Sequence, residues 1–264
     1  QRVLFTGPAG TGKTFLALEA ARRELALGRT GSLMCFNNLL GRRLAADIND
    51  KSLSVGTFHS QLLALTGLKA PADAGQLFWN TELPERAVEV LLELGEPPAD
   101  FLIIDEIQDL LTEAYLDVFE LMVKGGLSDG RVLMFGDFER QAIYDDGRGR
   151  ELLKACMAHL PSHRLTMNCR NLPRIGFSVN FFSGLTPGYQ KFRRDDDGAN
   201  PVLLKYVRGD DQSPLLRQAV EALREESFDL SEIVVLSPLS AGSVAATTTD
   251  SWLKSVVVQA DGQA

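Results

Sequence analysis

The chain has 264 residues, of which 45% are hydrophobic and 23% charged, as in a soluble globular protein with a substantial core. Its net charge of −8 argues against a protein that holds nucleic acid by bulk charge alone, although basic and aromatic residues could line a local groove. Because it contains no run of 18 apolar residues and only three widely spaced cysteines, we expect a cytoplasmic protein with reduced thiols and no membrane association.

Strands and helices alternate along most of the chain. Their patterns predict strands at 3–7, 32–36, 53–58, 101–104, 131–137 and 164–168. They predict helices at 14–27, 39–48, 59–65, 85–94, 112–123 and 174–183. The pattern then weakens, with strands predicted at 202–207 and 232–238 and a helix at 215–225. This alternation predicts an α/β fold with a parallel, doubly wound sheet.

The organisation of the chain suggests two domains. We expect the first to span 1–163, with a small insertion at about 66–98, and an incomplete second domain to span 164–264. The chain begins on a core strand and stops before a second βα layer is complete, so we expect it to be part of a larger protein.

The segment GPAGTGKT lies between a predicted strand and a predicted helix and matches the phosphate-loop (Walker A) pattern G-x-x-x-x-G-K-[ST] in full. Its glycines let the backbone curl so that several N–H groups face one point, where the helix N-terminus adds its dipole. Lys13 can reach the β- and γ-phosphates, and the Thr14 hydroxyl can ligate Mg²⁺. The predicted nucleotide-binding residues are Gly7, Pro8, Ala9, Gly10, Thr11, Gly12, Lys13 and Thr14.

The apolar strand 101–104 runs directly into Asp105, Glu106, Gln108 and Asp109. In phosphate-loop enzymes an Asp at the end of a second core strand (Walker B) holds Mg²⁺ together with the loop hydroxyl, and we predict that role for Asp105. Glu106 then stands where a general base for water could stand, which favours hydrolysis over phosphoryl transfer to a substrate. The alternative is that these acids only begin a helix, where negative charge is favourable, and this is the simpler explanation for Asp109.

Five further segments occur in an order and spacing that resemble superfamily 1 DNA helicases of the UvrD/Rep type. They are FNNLLGRRL (36–44), TFHS (57–60), DEIQD (105–109), GDFERQAIY (136–144) and LTMNCRN (165–171). Only residues 61–104 separate TFHS from DEIQD, where the well-known motors carry a large inserted domain. The chain therefore looks more like the compact helicase-like ATPases that are fused to nuclease-related (NERD) domains.

The resemblance implies a P-loop NTPase with two RecA-like domains, ATP and Mg²⁺ as cofactors, and single-stranded DNA, or RNA, as partner. It implies that the single-strand path is lined by Phe36, Asn37, Thr57, Phe58 and His59, with Tyr144 nearby. Core packing is the alternative for both phenylalanines, and a hydrogen-bonded structural role is the alternative for His59.

The resemblance also implies catalytic and coupling roles. Lys13 and Arg170 would contact the γ-phosphate, Arg170 from the second RecA-like domain, and Glu106 would activate the attacking water. Gln108 and Gln141 would couple the γ-phosphate to the nucleic-acid site. The chain departs from the family at Cys169, where an aromatic residue usually precedes the arginine.

These features predict an ATP hydrolase that works as a single-stranded DNA translocase or helicase module. The alternative, from a different class, is an ATP-gated nucleic-acid-binding switch or regulatory ATPase that does not unwind. The acidic charge and the short insertion favour that alternative. A nucleotide or metabolite kinase is disfavoured, because it offers no role for TFHS or for the two glutamines.

Overall fold

The structure is a computed structural model that describes residues 1–138, 148–157, 159–186, 188–198, 200–207, 209–237, 239 and 241–258. The chain divides into two compact units, Gln1–Asn200 and Pro201–Ala264. The domain limits expected from the sequence, 1–163 and 164–264, fall at a different place and stay a prediction.

Six parallel strands form the central sheet of the first unit. They are β1 (Arg2–Thr6), β2 (Gly31–Cys35), β3 (Leu53–Thr57), β4 (Phe101–Asp105), β5 (Val132–Gly136) and β6 (Ser162–Arg164). Their order in the sheet is β3-β2-β4-β5-β1-β6, so β5 lies between the strand that leads into the phosphate loop and the strand that ends at Asp105. A small separate sheet pairs β7 (Met167–Asn168) with β8 (Lys191–Phe192).

Helices cover both faces of the central sheet. The helices of the first unit are α1 (Lys13–Ala26), α2 (Asn38–Asp47), α3 (Phe58–Thr66), α4 (Leu83–Leu94), α5 (Glu113–Met122), α6 (Gly126–Asp129), α7 (Arg148–Cys156) and α8 (Pro173–Ser183). Those of the second unit are α9 (Ser213–Glu225), α10 (Val244–Thr247) and α11 (Ser251–Val256).

The strand β4 shows how the two layers share the sheet. Leu102 and Ile104 join the core cluster that includes α3, α4 and α5, whereas Phe101 and Ile103 join the cluster that includes α1 and α2. Successive side chains of a strand point to opposite faces, so a strand covered on both sides must be apolar throughout. The predicted α/β class with a doubly wound parallel sheet is confirmed and is consistent with a RecA-like fold.

Three of the predicted strands differ from the structure. Residues 202–207 and 233–237 have no regular secondary structure, and Val202 and Leu236 are exposed. An apolar run favours a strand only where a neighbouring strand pairs with its backbone groups. The predicted strand 164–168 is divided between β6 and β7, which belong to different sheets.

In the second unit, Arg217 on α9 contacts residues at the start of α11. The Arg217 guanidinium forms ion pairs with Glu221 at 2.8 Å and with Asp250 at 3.2 Å, and it lies 5.3 Å from the centre of the Trp252 ring. Across the whole described part of the chain, every helix is too short or too polar to span a bilayer.

Candidate nucleotide-binding site

The phosphate loop connects β1 to α1 at the carboxyl edge of the sheet. Gly10 and Gly12 have φ angles of 82° and 88°, in the left-handed region that glycine adopts without a steric penalty. Gly12 is the N-cap of α1, and within the described residues the helix start has no side-chain cap and no acid in its first turn. The first turn of α1 therefore carries no acid of its own, and the free N–H groups at such a helix start suit an anion.

Two side chains of the loop fold back onto its own carbonyl groups. The Lys13 ammonium donates to the carbonyl oxygen of Gly7 at 2.8 Å and to that of Pro8 at 3.4 Å, and Lys13 is only 5% exposed. The Thr11 hydroxyl donates to the same Pro8 oxygen at 2.8 Å. These bonds hold a positive charge inside the curve of the loop.

The end of β4 meets the first turn of α1 through one short hydrogen bond. The Thr14 hydroxyl donates to Oδ2 of Asp105 at 2.7 Å, and Asp105 is fully buried. Burial raises the pKa of this carboxyl to about 6, against the opposing effects of the Thr14 hydrogen bond and the Lys13 charge. A buried carboxylate beside a hydroxyl oxygen suits Mg²⁺, which prefers oxygen ligands and would stabilise the ionised form.

Glu106 is held by Gln108 rather than by a helix. Glu106 has a φ of 56°, uncommon for a residue other than glycine, and the following residues Ile107–Asp109 form a 3₁₀ turn. The side-chain amide of Gln108 donates to Oε2 of Glu106 at 2.9 Å, and its oxygen accepts the backbone N–H of Asp137 at 3.0 Å. Gln108 is 3% exposed. The alternative that these acids only begin an α-helix does not match this geometry, because α5 starts at Glu113.

The segment that contains Arg170 packs against the tip of the phosphate loop. The backbone N–H of Cys169 donates to the Gly10 carbonyl at 2.8 Å. A side chain at Gly10 would place its Cβ 3.1 Å from Oδ1 of Asn168 and 3.2 Å from Cβ of Arg170. Arg170 is exposed and belongs to the same compact unit as the loop.

Asn168 shapes the turn that presents Arg170, and sequence reasoning gave it no role. It is fully buried, and its Oδ1 accepts the backbone N–H groups of Arg170 at 3.0 Å and of Asn171 at 2.9 Å. Asparagine commonly forms such local bonds to the backbone, so its place two residues before the arginine was an available signal.

The residues expected to line a single-strand path follow the ends of β2 and β3, which are neighbours paired at Cys35 and Thr57. Asn37 is exposed, and its side chain accepts the N–H of Leu40 at 3.1 Å as the N-cap of α2. Thr57 is buried and caps α3 in the same way, accepting the N–H of Ser60 at 3.1 Å. Both side chains are thus engaged in starting helices.

The prediction that Phe58 contacts nucleic acid is wrong. Phe58 is fully buried, and its ring centre lies 4.4 Å from that of Tyr115 and 5.2 Å from that of Phe119. As the first residue of α3, it points into the contact with α5, so the core alternative holds. Phe36 is only partly buried and packs against the edge of the same core cluster.

His59 sits among aromatic rings at this edge. Its Nε2 lies 2.9 Å from the Tyr115 hydroxyl, and its ring centre lies 5.1 Å from that of Trp79 and 5.9 Å from that of Phe36. Burial lowers the pKa of the imidazole to about 4, so it is neutral at pH 7. These contacts match the structural role that was the alternative for His59.

Two predicted site residues, Gln141 and Tyr144, lie outside the described residues.

Tyr189 is a residue that the sequence did not single out. Its hydroxyl donates to the carbonyl oxygen of Ala9, in the phosphate loop, at 2.7 Å.

No protein-family model matches this chain, and none of the curated proteins matches it either. Among solved structures, the chain is similar to the helicase domain of Pyrococcus furiosus Hef, with a TM-score of 0.35 and 14% sequence identity. That similarity covers 62% of this chain and 35% of the other, so this chain spans about a third of the solved one. At this level the similarity supports no functional argument, and the proposals for this protein rest on its own residues.

Proposed function

We propose that this protein is an ATPase that binds ATP with Mg²⁺ and couples its hydrolysis to movement along single-stranded DNA. The observation that carries the proposal is the 2.7 Å hydrogen bond between the hydroxyl of Thr14 and the buried carboxylate of Asp105. It joins two elements that lie 91 residues apart in the chain and that each carry one half of a magnesium-nucleotide motif.

The residues present fit such a ligand. Lys13 and the N–H groups at the start of α1 would hold the phosphates, and Thr14 and Asp105 would hold the metal. When bound, Mg²⁺ supplies neutralisation of the negative charge that develops on the phosphate oxygens. The chain's own contribution is to hold the ammonium of Lys13 buried and the carboxylate of Asp105 fixed on a core strand.

Glu106 is the proposed base for the attacking water. Gln108 holds its carboxylate through one oxygen, which leaves the other oxygen to accept a proton. Arg170, which lies beside Gly10 at the tip of the phosphate loop, would stabilise the charge of the transition state. This division of roles favours hydrolysis over transfer to a second substrate.

A path for coupling runs through Gln108. Its amide bonds the candidate base on one side and the backbone at the end of β5 on the other. The segment after β5 contains the proposed Gln141 and Tyr144. We propose that a nucleic-acid strand acts on Glu106 through this route, with Phe36, Asn37 and His59 at the neighbouring edge of the sheet.

The first test is ATP turnover with and without single-stranded DNA. The motor proposal expects Mg²⁺-dependent hydrolysis that single-stranded DNA stimulates. Nucleotide-dependent DNA binding without stimulated turnover would support the switch alternative instead. Stimulation by RNA in place of DNA would redefine the partner, and absence of binding by any nucleic acid would overturn the coupling proposal.

A glycine pair tests the nucleotide site. Gly10 and Gly28 both have positive φ, so alanine at either position should lower the free energy of unfolding by about 1–2 kcal/mol. Only at Gly10 would the new Cβ press on Asn168 and Arg170, whereas nothing lies within 4 Å of a Cβ at Gly28. We therefore expect Gly10→Ala to weaken ADP binding and Gly28→Ala to leave it unchanged. Equal ADP affinities in titration calorimetry would contradict the site.

Trp79 offers a direct probe of the single-strand path. The chain has two tryptophans, so Trp252→Phe leaves Trp79 as the single tryptophan, and excitation that avoids tyrosine reports on it alone. Trp79 packs beside His59 at the expected path, and a base that stacks there should quench its emission. The control is Trp79→Phe, in which Trp252 should give no response. Oligonucleotide binding seen by anisotropy without a change at Trp79 would place the strand elsewhere.

A further inference from the structure

The tip of the phosphate loop is held from outside by two consecutive bonds. The Ala9 carbonyl accepts the Tyr189 hydroxyl at 2.7 Å, and the Gly10 carbonyl accepts the Cys169 N–H at 2.8 Å. Both donors belong to the segment 165–192, which also bonds the end of β1 through the Leu165 N–H and the Thr6 carbonyl at 2.7 Å. The segment therefore bonds the backbone at Thr6, Ala9 and Gly10, whereas the carbonyls of Gly7 and Pro8 between them accept hydrogens from Lys13 and Thr11 of the loop itself.

The direction of the Tyr189 side chain is fixed by its surroundings. The side chain of Asn180, on α8, accepts the Tyr189 N–H at 3.0 Å and donates to its carbonyl at 3.4 Å. The ring centre lies 6.0 Å from that of Phe192, on β8, and the residue is only 9% exposed. A tyrosine clamped at its backbone and buried around its ring has little freedom to move its hydroxyl.

The hydroxyl is also a permanent donor at neutral pH. Burial raises the pKa of Tyr189, and the nearby charge of Asp137 raises it further, while Arg170 lowers it. Tyr189 therefore stays protonated, and it lies within electrostatic reach of the end of β5 and of the candidate transition-state arginine.

The hydrogen bonds to the Ala9 and Gly10 carbonyls affect how the N–H groups of the same loop are presented to a phosphate. For backbone N–H groups to converge on a phosphate, the carbonyls of the same peptides must point outward. The carbonyls of Ala9 and Gly10 already have donors outside the loop, and these bonds hold the two peptides in place before a ligand arrives, so less ordering entropy is lost on binding.

We propose that Tyr189 is a positioning residue for the phosphate loop, and that docking of segment 165–192 on the loop and nucleotide binding favour each other. The inference rests on the proposed nucleotide binding, and it adds that the docked segment 165–192 raises the affinity of that site for the nucleotide. Coupling of this kind is reciprocal, so a bound nucleotide should also protect segment 165–192 from opening.

The test is Tyr189→Phe, which keeps the ring and removes only the hydroxyl. We expect the dissociation constants for ADP and for a non-hydrolysable ATP analogue to rise, by at most about 12-fold, the equivalent of losing one neutral hydrogen bond from the binding-competent loop. The KM for ATP should rise with them, with little change in kcat. The matched control is Tyr206→Phe, because Tyr206 is 59% exposed and lies in the second unit. Unchanged dissociation constants for Tyr189→Phe would overturn the proposal.

Hydrogen exchange without nucleotide separates positioning from general stability. In Tyr189→Phe the amides of residues 9–13 should exchange faster, while those of β4 keep their protection. Faster exchange throughout the sheet would mean a merely structural residue and would overturn the proposal. If wild-type protein binds no nucleotide, the proposed function fails, and the exchange of residues 9–13 still decides whether Tyr189 fixes the loop.

Discussion

Replacing Glu106 with glutamine is expected to lower the rate of ATP hydrolysis about 10²- to 10⁴-fold, the usual contribution of a general base. Glutamine has nearly the same shape and can still accept the Gln108 hydrogen bond, so the turn at 106 should keep its geometry. What it loses is the ability to take a proton from water. The affinity for ATP with Mg²⁺ should stay close to that of the wild type.

Single-turnover hydrolysis with excess enzyme measures this effect without interference from product release. Glu113→Gln is the matched control. Glu113 is an exposed acid in the first turn of α5, and its substitution should leave the rate of hydrolysis unchanged. If Glu106→Gln hydrolyses ATP at the wild-type rate, Glu106 is not the base. If Glu106→Gln instead loses both hydrolysis and nucleotide affinity, the role of Glu106 is to maintain the structure of the site.

Replacing Arg170 with alanine is expected to lower the rate of hydrolysis about 10³- to 10⁵-fold, as for arginines that stabilise phosphoryl-transfer transition states. The backbone of Arg170 is fixed by the Asn168 side chain, so removing the guanidinium should leave the turn in place. Arg170→Lys should recover only part of the rate, because an ammonium lacks the planar fork of the guanidinium. Single-turnover rates and ADP affinity are the measurements.

The control for Arg170 is Arg174→Ala. Arg174 lies four residues further on and forms an ion pair with Asp196 at 3.0 Å on the surface. Its loss should change neither hydrolysis nor nucleotide affinity. Equal effects of the two substitutions would show that positive charge in this region matters in general, and they would remove the specific role from Arg170.

The phosphate loop and Asp105 were the parts of the candidate site most accessible from sequence. Glycines at fixed spacing before a lysine specify a backbone path over eight residues, because so few residues adopt positive φ. Asp105 could be predicted because the four apolar residues before it are typical of a strand buried on both faces. In a parallel sheet the carboxyl ends of such strands lie at one edge, where the phosphate loop also begins.

Contacts between distant parts of the chain were not accessible. Phe58 and Phe36 both end apolar runs, and only the packing of α3 on α5 decides that Phe58 turns inward. Tyr189 and Ala9 are 180 residues apart, and nothing in the sequence around a loop tyrosine specifies such a partner. Residues 202–207 and 233–237 form no strand, which shows that an apolar pattern does not supply the neighbouring strand with which it must pair.

The orientation of the Gln108 amide limits what evolution can place at that position. One end must give a hydrogen to a carboxylate, and the other must receive one from a backbone N–H. Glutamate offers acceptors alone, and lysine or arginine offers donors alone. A glutamate at 108 would place a second carboxylate beside Glu106, and a hydrogen bond between the two would form only at a pH low enough for them to share a proton. Among side chains of this length, the neutral amide alone satisfies both ends at every physiological pH.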